Sequence, residues 1–211
     1  MKDSELKSVL VIANGKSPKR KLLQRLVNNS DCIIAADGGA NTCFKYNIHP
    51  DYIIGDFDSI DEKSKQHFKN SEYIYLPDQN EHDLLKAIQF CNKLKPNKVI
   101  VTAVFGKRID HTLSNLFYLQ NLHFKFDLEF IDKHSKIFII QGKHKFNFPA
   151  THPVSLLSFN PVFGITIKGF KYNLTNEDYP AGFNGVSNEI KKNPATIQIK
   201  KGSVIAIVAH E

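Results

Sequence analysis

The chain has 211 residues, of which 42% are hydrophobic and 23% charged, and its formal net charge is +7. This composition is typical of folded globular proteins and argues against an intrinsically disordered chain. No apolar run approaches the roughly 20 residues that span a bilayer, so we expect a cytoplasmic protein with no membrane partner. The lysines are scattered along the chain, so the positive charge indicates a solvated surface and no nucleic-acid partner is expected.

The three cysteines, Cys32, Cys43 and Cys91, are odd in number and widely spaced. They form no Cys-x-x-Cys pair, which argues against a disulfide framework or a structural zinc site. The pattern therefore predicts buried free thiols.

The part of the chain up to Asp132 alternates short apolar runs with amphipathic stretches. The apolar runs predict strands at Val9–Ala13, Cys32–Ala36, Tyr52–Ile54, Tyr73–Leu76, Lys98–Val104 and Asp127–Ile131. The amphipathic stretches predict helices near Pro18–Asn28, Ala40–Tyr46, Glu62–Lys69, Asp83–Leu94 and Asp110–Asn121. Each of the last two contains side chains at the spacing of one apolar helix face. They are Leu84, Leu85 and Ile88 in the fourth helix and Leu113, Leu116 and Phe117 in the fifth. This alternation predicts an α/β fold with a doubly wound, mostly parallel sheet.

Beyond Lys133 the apolar runs are short, rich in β-forming residues and separated by Gly, Pro or Asn. They predict strands at Lys136–Ile140, Lys145–Phe148, Val154–Phe159, Ile165–Phe170, Ala195–Ile199 and Ser203–Val208. No helical pattern is evident there, which predicts a smaller all-β domain of sandwich or barrel type. We therefore expect an α/β domain of residues 1–132 followed by an all-β domain of residues 133–211.

Acidic residues follow four consecutive predicted strands. Asp37 comes after the second strand, Asp56 and Asp58 after the third, Asp83 after the fourth and Asp110 after the fifth. In a doubly wound sheet, ligands bind beyond the carboxyl ends of the strands. These carboxylates are therefore expected at one edge of the sheet. Asp83 and Asp110 also stand where a helix N-cap is expected, so for each of them a capping role is an open alternative.

Asp56 and Asp58 are separated by a single residue, Phe57. In extended backbone, residues i and i+2 point the same way, which predicts two adjacent carboxylates. Like charges this close repel each other unless a cation or a proton intervenes. Mg²⁺ binds carboxylate oxygens together with substrate phosphates, so the pair predicts a Mg²⁺ site in an enzyme that handles a nucleotide polyphosphate.

The segment Gly106-Lys107-Arg108 supplies positive charge just before a predicted helix. A helix N-terminus and an arginine both suit phosphate, so Arg108 is a candidate phosphate ligand. For Lys107, a solvated basic turn is an equal alternative. Two other patterns are set aside: Gly15-Lys16-Ser17 lacks the earlier glycine of a P-loop, and His82 and His111 lack the short spacing of a zinc pair.

Taken together, five segments occur in the order seen in thiamine pyrophosphokinases, and the chain resembles that family over almost its whole length. They are Asp37-Gly38-Gly39-Ala40-Asn41, Gly55-Asp56-Phe57-Asp58-Ser59, the Asp83 segment, Arg108-Ile109-Asp110-His111 with Asn115, and Ser187-Asn188-Glu189. The resemblance implies transfer of the pyrophosphoryl unit of ATP to the hydroxyethyl group of thiamine, giving thiamine diphosphate and AMP. It also implies a homodimer, with the thiamine pocket formed between the N-terminal domain and the β domain across subunits.

The resemblance further implies roles for individual residues. Asp56, Asp58 and Asp83 would hold Mg²⁺ with the ATP phosphates, and Asp58, Asp83 and Arg108 would be catalytic. The nucleotide or thiamine would be bound by Asp37, Gly38, Asn41, Lys107, Asp110, His111, Asn115, Ser187 and Asn188. Without the resemblance, the segment from Gly185 to Asn188 is interpreted as a polar β-turn.

The chain departs from the family pattern in three places. Members usually have Lys-Asp-x-Thr-Asp where this chain has Gln79-Asn80-Glu81-His82-Asp83, and Lys107 replaces the second glycine before the arginine. There is no tryptophan, so stacking on the thiamine rings must come from Phe or Tyr, with Phe183 a candidate. Two alternatives are another Mg²⁺-dependent nucleotide phosphotransferase or hydrolase, and a non-catalytic module that binds nucleotide or RNA.

Overall fold

The computed structural model of the chain describes residues 6–78, 80–106 and 108–209. The chain divides into two units. The first comprises the residues up to Asn115 together with His123–Lys133, and the second comprises Leu116–Leu122 together with the residues from His134 onward. In the part of the chain that is described, no helix is both long and apolar enough to cross a membrane.

The first unit contains a parallel sheet. Across it the strands follow the order β6-β5-β1-β2-β3-β4, and every adjacent pair is parallel. Val9, Leu10 and Val11 of the first strand are fully buried, which is typical of parallel strands covered on both faces. The strands are β1 (Ser8–Ile12), β2 (Cys32–Ala36), β3 (Tyr52–Gly55), β4 (Glu72–Tyr75), β5 (Lys98–Thr102) and β6 (Asp127–Ile131).

Helices connect these strands as the sequence predicts. They are α1 (Arg20–Asn28), α2 (Gly39–Tyr46), α3 (Glu62–His67), α4 (Asp83–Leu94) and α5 (Ile109–Gln120). Helix α4 buries Leu84, Leu85 and Ile88 and packs on β2 and β3, so its predicted apolar face is confirmed. Helix α5 differs, because Leu113 and Phe117 are about half exposed. Their spacing is helical, but the described chain does not cover that face.

The second unit consists of two four-stranded antiparallel groups. Large buried side chains of both groups, such as Phe146, Leu156 and Ile165, belong to one hydrophobic core, which is the arrangement of a β-sandwich. One group has the order β12-β9-β14-β7 and the other β11-β10-β13-β8. The strands are β7 (Ser135–Ile140), β8 (Lys143–Phe146), β9 (Pro153–Ser158), β10 (Val162–Lys168), β11 (Leu174–Tyr179), β12 (Phe183–Glu189), β13 (Ala195–Gln198) and β14 (Val204–Ala209).

Strands β11 and β12 are absent from the sequence prediction. Both carry mostly exposed or half-buried polar residues, so no run of apolar residues marks them. The segment from Gly185 to Asn188, interpreted from sequence as a turn, lies inside β12, where the pairing with β9 shifts register. Ser187 has a φ of +58° at that shift, so the segment is a bulge in a strand.

Gln120, at the end of α5, joins the second unit through buried hydrogen bonds. Its Nε2 donates to Ser158 Oγ and to the Ser203 carbonyl, and its Oε1 accepts the N–H of Phe159. Ser203 Oγ in turn donates to the Gln120 carbonyl. Unpaired buried amides are costly, so this network fixes the end of α5, which belongs to the second unit.

The three cysteines are buried free thiols, as predicted. Desolvation by burial is the main reason that the pKa of each thiol is raised to about 12. Thiols with such a pKa stay protonated at neutral pH and are poor nucleophiles. Cys32, Cys43 and Cys91 are therefore part of the packing.

Candidate active site

The connection from β2 to α2 consists of Asp37 and Gly38 alone. A Cβ atom added to Gly39, the first residue of α2, would lie 2.0 Å from the carbonyl oxygen of Ile12. One added to Gly38 would lie 2.2 Å from Asn14 Nδ2. The two glycines therefore let this turn pack against the end of β1.

Asp37 is a buried acid at this turn. Its side chain is only 4% exposed, and its Oδ1 has no hydrogen-bond partner among the described residues. Burial raises its pKa above the ordinary value, and repulsion from Asp83 and Asp58 acts in the same direction. An unpartnered buried carboxylate oxygen beside like charges is stabilised by a bound cation.

Asp56 and Asp58 follow β3 and lie close together, as predicted, but the backbone that places them is not extended. Phe57 has a φ of +68°, and the Asp58 N–H donates to Asp56 Oδ1 at 3.2 Å. The Phe57 ring is held by the rings of Tyr73 and Tyr75, at centroid distances of 5.3 and 5.7 Å. An aspartate-centred turn with an anchored aromatic residue therefore brings the two carboxylates together.

Three carboxylates meet at this edge of the sheet. One oxygen from each of Asp37, Asp56 and Asp58 lies within 4.8 Å of the other two. This donor set fits a hard divalent cation, which prefers oxygen ligands. We call these three residues the acidic triad.

Asp83 is close to the acidic triad but is engaged elsewhere. It is the first residue of α4, and its Oδ1 accepts a hydrogen bond of 3.0 Å from Lys86 Nζ. A Cβ atom on Gly55, which has a φ of +151°, would lie 3.1 Å from Asp83 Oδ1. The N-cap of α4 is His82, so Asp83 does not cap the helix. Of the predicted metal ligands Asp56, Asp58 and Asp83, the structure groups only the first two with Asp37.

Arg108 and Asp110 form a two-pronged ion pair. Arg108 Nε donates to Asp110 Oδ1 at 3.1 Å, and its Nη2 contacts Oδ2. This pairing is the main reason that the pKa of Asp110 falls to about 2. Asp110 Oδ1 also accepts the N–H of His111 at 3.0 Å. Both partners are mostly exposed, so Arg108 can meet an incoming anion without leaving a buried charge unpaired.

A cavity of about 270 Å³ lies at this end of the first unit. Its lining includes the predicted site residues Asp37, Asp83, Arg108, His111 and Asn115. Asp37 follows β2, Asp83 begins α4, Arg108 directly precedes α5, and the other two lie on α5. The loops after β1 and β5 complete the wall. The structure thus brings these residues, far apart in sequence, into one concave site.

Asn41 and Gly38 lie beside this cavity. Asn41 Nδ2 donates to the Ser59 carbonyl at 2.8 Å, and its Oδ1 accepts the N–H of Asp61 at 3.1 Å. The Asn41 amide therefore ties α2 to the loop that follows Asp58. Lys107, also predicted to contact the ligand, lies outside the described residues.

Ser187 and Asn188 belong to the second unit. Asn188 is buried, its Oδ1 accepts the N–H of Tyr172 at 3.1 Å, and its Nδ2 donates to the Tyr172 carbonyl at 2.8 Å. Its amide thus fixes the neighbouring turn. Phe183, the candidate for stacking, is packed in the hydrophobic core.

Sequence reasoning missed Lys86, Tyr172 and the placement of His82. Lys86 is three residues after Asp83 on the same helix, a spacing that marks side-chain neighbours. Tyr172 is largely exposed, which only the structure reveals. The His82 ring lies 5.2 Å from that of His111, and its Nε2 is 3.1 Å from Ser114 Oγ. His82 therefore belongs to the cavity wall, although its spacing in the sequence carries no signal.

Two family models match the chain. Residues 23–131 match the catalytic domain of thiamin pyrophosphokinase, and residues 141–204 match its vitamin B1 binding domain. The acidic triad, Asp83 and Arg108 all fall in the first match. Ser187 and Asn188 fall in the second.

Individual relatives agree with the family models. The chain is 25% identical to the thiamine pyrophosphokinase of Bacillus subtilis, over 96% of this chain and 98% of the relative. A structure of a probable thiamine pyrophosphokinase from Staphylococcus saprophyticus is 27% identical, with a TM-score of 0.69 over 98% of this chain and all of that one. The fold of the Candida albicans enzyme is similar at 22% identity, with a TM-score of 0.80 over 98% of this chain and 90% of that one. The chain belongs to the thiamin pyrophosphokinase family.

Proposed function

We propose that this chain transfers the pyrophosphoryl group of ATP to the hydroxyethyl group of thiamine and releases AMP. The observation that carries the proposal is the cavity beside the acidic triad, in the segment that matches the family's catalytic domain. Carboxylates that suit a cation, together with Arg108 near the first turn of α5, suit a polyphosphate. This edge has the chemistry that nucleotide-dependent phosphoryl transfer requires.

A divalent cation is expected of an enzyme of this family, and we propose Mg²⁺. The residues that would hold it are Asp37, Asp56 and Asp58, with Asp83 beside them. The buried Asp37 Oδ1, which has no partner among the described residues, supports this assignment. When bound, the cation would neutralise charge on the phosphates and orient them.

In the proposed reaction, the thiamine hydroxyl oxygen attacks the β-phosphorus of ATP in line with the bridging oxygen of the α-phosphate. The new O–P bond forms as the bond from the β-phosphorus to that bridging oxygen breaks, and AMP leaves with the oxygen. The hydroxyl proton passes to a carboxylate, for which Asp58 and Asp83 are the candidates. Arg108 stabilises the negative charge that builds on the phosphates.

We infer that the sheet of the first unit is doubly wound. Strands β1 to β4 progress toward one edge, whereas β5 and β6 continue from β1 toward the other. Right-handed crossovers would then place α1 to α3 on one face and α4 and α5 on the other. The reversal point lies between β1 and β5, and residues from the loops after both strands line the cavity. Ligands of such sheets bind at that point.

We propose the following roles for the other residues that the sequence predicts in the site. Gly38, at the start of α2, and Asp110, which holds Arg108, would shape the nucleotide cleft. His111 and Asn115 line the cavity directly. Ser187 would meet thiamine on the second unit, where Asn188 acts by fixing the turn at Tyr172.

Tyr172 is the aromatic residue that we propose stacks on thiamine. Its ring is largely exposed while Asn188 holds its backbone, so it offers an ordered aromatic face. Tyr172→Ala should raise KM for thiamine about tenfold, because an aromatic face stabilises a cationic ring by about 1–2 kcal/mol. KM for ATP should stay within about twofold of the wild-type value. Steady-state kinetics with Tyr172→Phe as the matched control, expected to behave like wild type, test this. An unchanged KM for thiamine in Tyr172→Ala would reject the role.

We propose that the chain forms a homodimer. Helix α5 exposes Ile109, Leu113, Phe117 and Tyr118, a concentration of large apolar side chains that is typical of protein interfaces. Sedimentation equilibrium should give twice the 24.0 kDa mass of the chain, and Leu113→Glu should shift the protein toward the monomer. A monomeric wild-type protein at micromolar concentration would contradict the proposal.

The rival functions are separated by product identification. Incubation with ATP, Mg²⁺ and thiamine should yield thiamine diphosphate and AMP in equal amounts. ADP or phosphate formed without thiamine would indicate another phosphotransferase or a hydrolase. Salt-sensitive polyanion binding without turnover would indicate a binding module.

A further inference from the structure

Lys86 is a buried lysine at the acidic edge of the first unit. Its side chain is only 5% exposed, and desolvation of an ammonium group is costly unless the group is paired. The Nζ atom donates to Asp83 Oδ1 at 3.0 Å and to the carbonyl of Leu76 at 2.8 Å. The long side chain therefore reaches from α4 to the residue just past β4, with Asp83 held at its tip.

The Lys86 contact holds Asp83 in a repulsive environment. Asp83 Oδ1 lies against Gly55, where an added Cβ would be 3.1 Å away, and the same Cβ would lie 2.9 Å from Asp37 Cβ. Like charges drive these carboxylates apart, so an opposing attraction must keep Asp83 near the acidic triad. Lys86 supplies that attraction.

The same lysine is linked to the loop that carries Asp56 and Asp58. The N–H of Leu76 donates to the Gly55 carbonyl at 2.9 Å, and the Leu76 carbonyl accepts from Lys86. Gly55 directly precedes Asp56. Lys86 thus couples helix α4, the end of β4 and the acidic loop through consecutive hydrogen bonds.

We infer that Lys86 is a positioning residue that holds Asp83 Oδ1, so that Oδ2 of Asp83 joins the acidic triad in binding the divalent cation. The inference deepens the proposed function and rests on it for the use of the cation in turnover. If Lys86 only neutralised negative charge, its replacement would strengthen cation binding, and if it only filled space, its replacement would leave cation binding unchanged. If Lys86 positions Asp83, its replacement weakens cation binding.

The test is a double-mutant cycle on the full-length protein, with Mn²⁺ alone as the probe and calorimetry or electron paramagnetic resonance as the readout. Lys86→Met should raise the Mn²⁺ dissociation constant about tenfold, as is typical when a group that orients a metal ligand is removed. Asp83→Asn should have a similar effect. The double variant should bind Mn²⁺ no more weakly than Asp83→Asn alone, because Lys86 acts through Asp83.

Lys86→Arg and Lys86→Gln keep the test decisive if Lys86→Met does not fold. Arginine should restore most of the Mn²⁺ affinity, whereas glutamine, which can still donate to Leu76 but has no charge, should not. In turnover, Lys86→Met should lower kcat about tenfold with KM for thiamine within about twofold.

Three results would overturn the inference: absence of Mn²⁺ binding by the wild type, unchanged or tighter binding by Lys86→Met, or effects of Lys86 and Asp83 that multiply. Failure of the proposed function is a separate outcome. A wild-type protein that forms no thiamine diphosphate would reject that function, while the Mn²⁺ cycle would still report on Lys86.

Discussion

Replacement of Asp58 by asparagine is expected to lower kcat by at least about 100-fold while the protein stays folded. Asp58 supplies one of three carboxylate oxygens that lie within 4.8 Å of one another, and asparagine removes its charge with almost no change in shape. Loss of one preorganised group that stabilises the transition state typically reduces turnover about 10²–10³-fold. Initial rates at saturating ATP and thiamine measure the effect.

Glu62→Gln is the matched control for this variant. Glu62 is an exposed acid in the first turn of α3, a few residues after Asp58, and it pairs with Lys65 at the surface. Neutralising it changes the net charge equally but should leave kcat within about twofold, because exposed ion pairs contribute little. A folded Asp58→Asn protein with near-normal turnover would remove Asp58 from the cation site.

Asp37→Asn should lose activity in the same way but gain stability when no cation is present. The folded-state pKa of Asp37 lies above its ordinary value, so the folded protein binds the proton more tightly than the unfolded chain. Ionised Asp37 therefore destabilises the metal-free fold, and this effect grows as pH rises from the unfolded pKa through the raised folded pKa. In EDTA at pH 7, Tm should be higher for Asp37→Asn than for wild type, and the difference should vanish near pH 3. A lower Tm for the variant at pH 7 would contradict this account.

The second large effect is expected at Arg108. Arg108→Met should reduce kcat about 10²–10³-fold, because a guanidinium group that meets phosphate oxygens stabilises the charge that builds in the transition state. Both members of the Arg108–Asp110 pair are mostly exposed, so the folded state should be little affected. Stopped-assay kinetics and thermal unfolding on the same preparation separate the two consequences.

Arg25→Met provides the control for loss of one positive charge. Arg25 lies in the last turn of α1, is exposed and is absent from the cavity lining. Its replacement should leave kcat within about twofold, whereas Arg108→Lys should recover only part of the activity because lysine cannot form the two-pronged contact. Equal losses in Arg25→Met and Arg108→Met would indicate a general charge effect.

The grouping of acidic residues at one end of the sheet could be predicted from the sequence, because these residues follow consecutive strands and their carboxylates suit a bound cation. Apolar runs indicate the strands, and the rule that ligands bind beyond the carboxyl ends of the strands predicts that Asp37, Asp56 and Asp58 lie together. The site assignment itself stays a prediction until the variants are measured. The strand–helix pattern is a local signal, and such signals can be read from a single sequence.

Backbone detail and side-chain pairing were less predictable. Phe57 has a left-handed backbone conformation, and its ring packs against Tyr73 and Tyr75, which lie on the next strand. The engagement of Asp83 by Lys86 depends on burial, which a helical spacing alone does not reveal. Both features arise from tertiary packing.

The sequence patterns also did not predict which side chains of helix α5 and strand β12 are exposed. Helical spacing identified Leu113 and Phe117 as one face of α5 but could not say that the described chain leaves this face uncovered. Strand β12 was not predicted because it has few apolar residues, most of its residues are exposed or partly buried, and a bulge at Ser187 interrupts it. Hydrophobic patterns identify helices and strands that have one face buried within the same chain. Helix α5 and strand β12 are buried only in part, so these patterns describe them poorly.

The most direct test of the proposed reaction is to follow ATP that carries ¹⁸O in the oxygen bridging the α- and β-phosphorus atoms. Attack of thiamine on the β-phosphorus predicts thiamine diphosphate and AMP in equal amounts, with all of the label in AMP, as measured by mass spectrometry. Formation of ADP, or of label in pyrophosphate or thiamine diphosphate, would contradict the account.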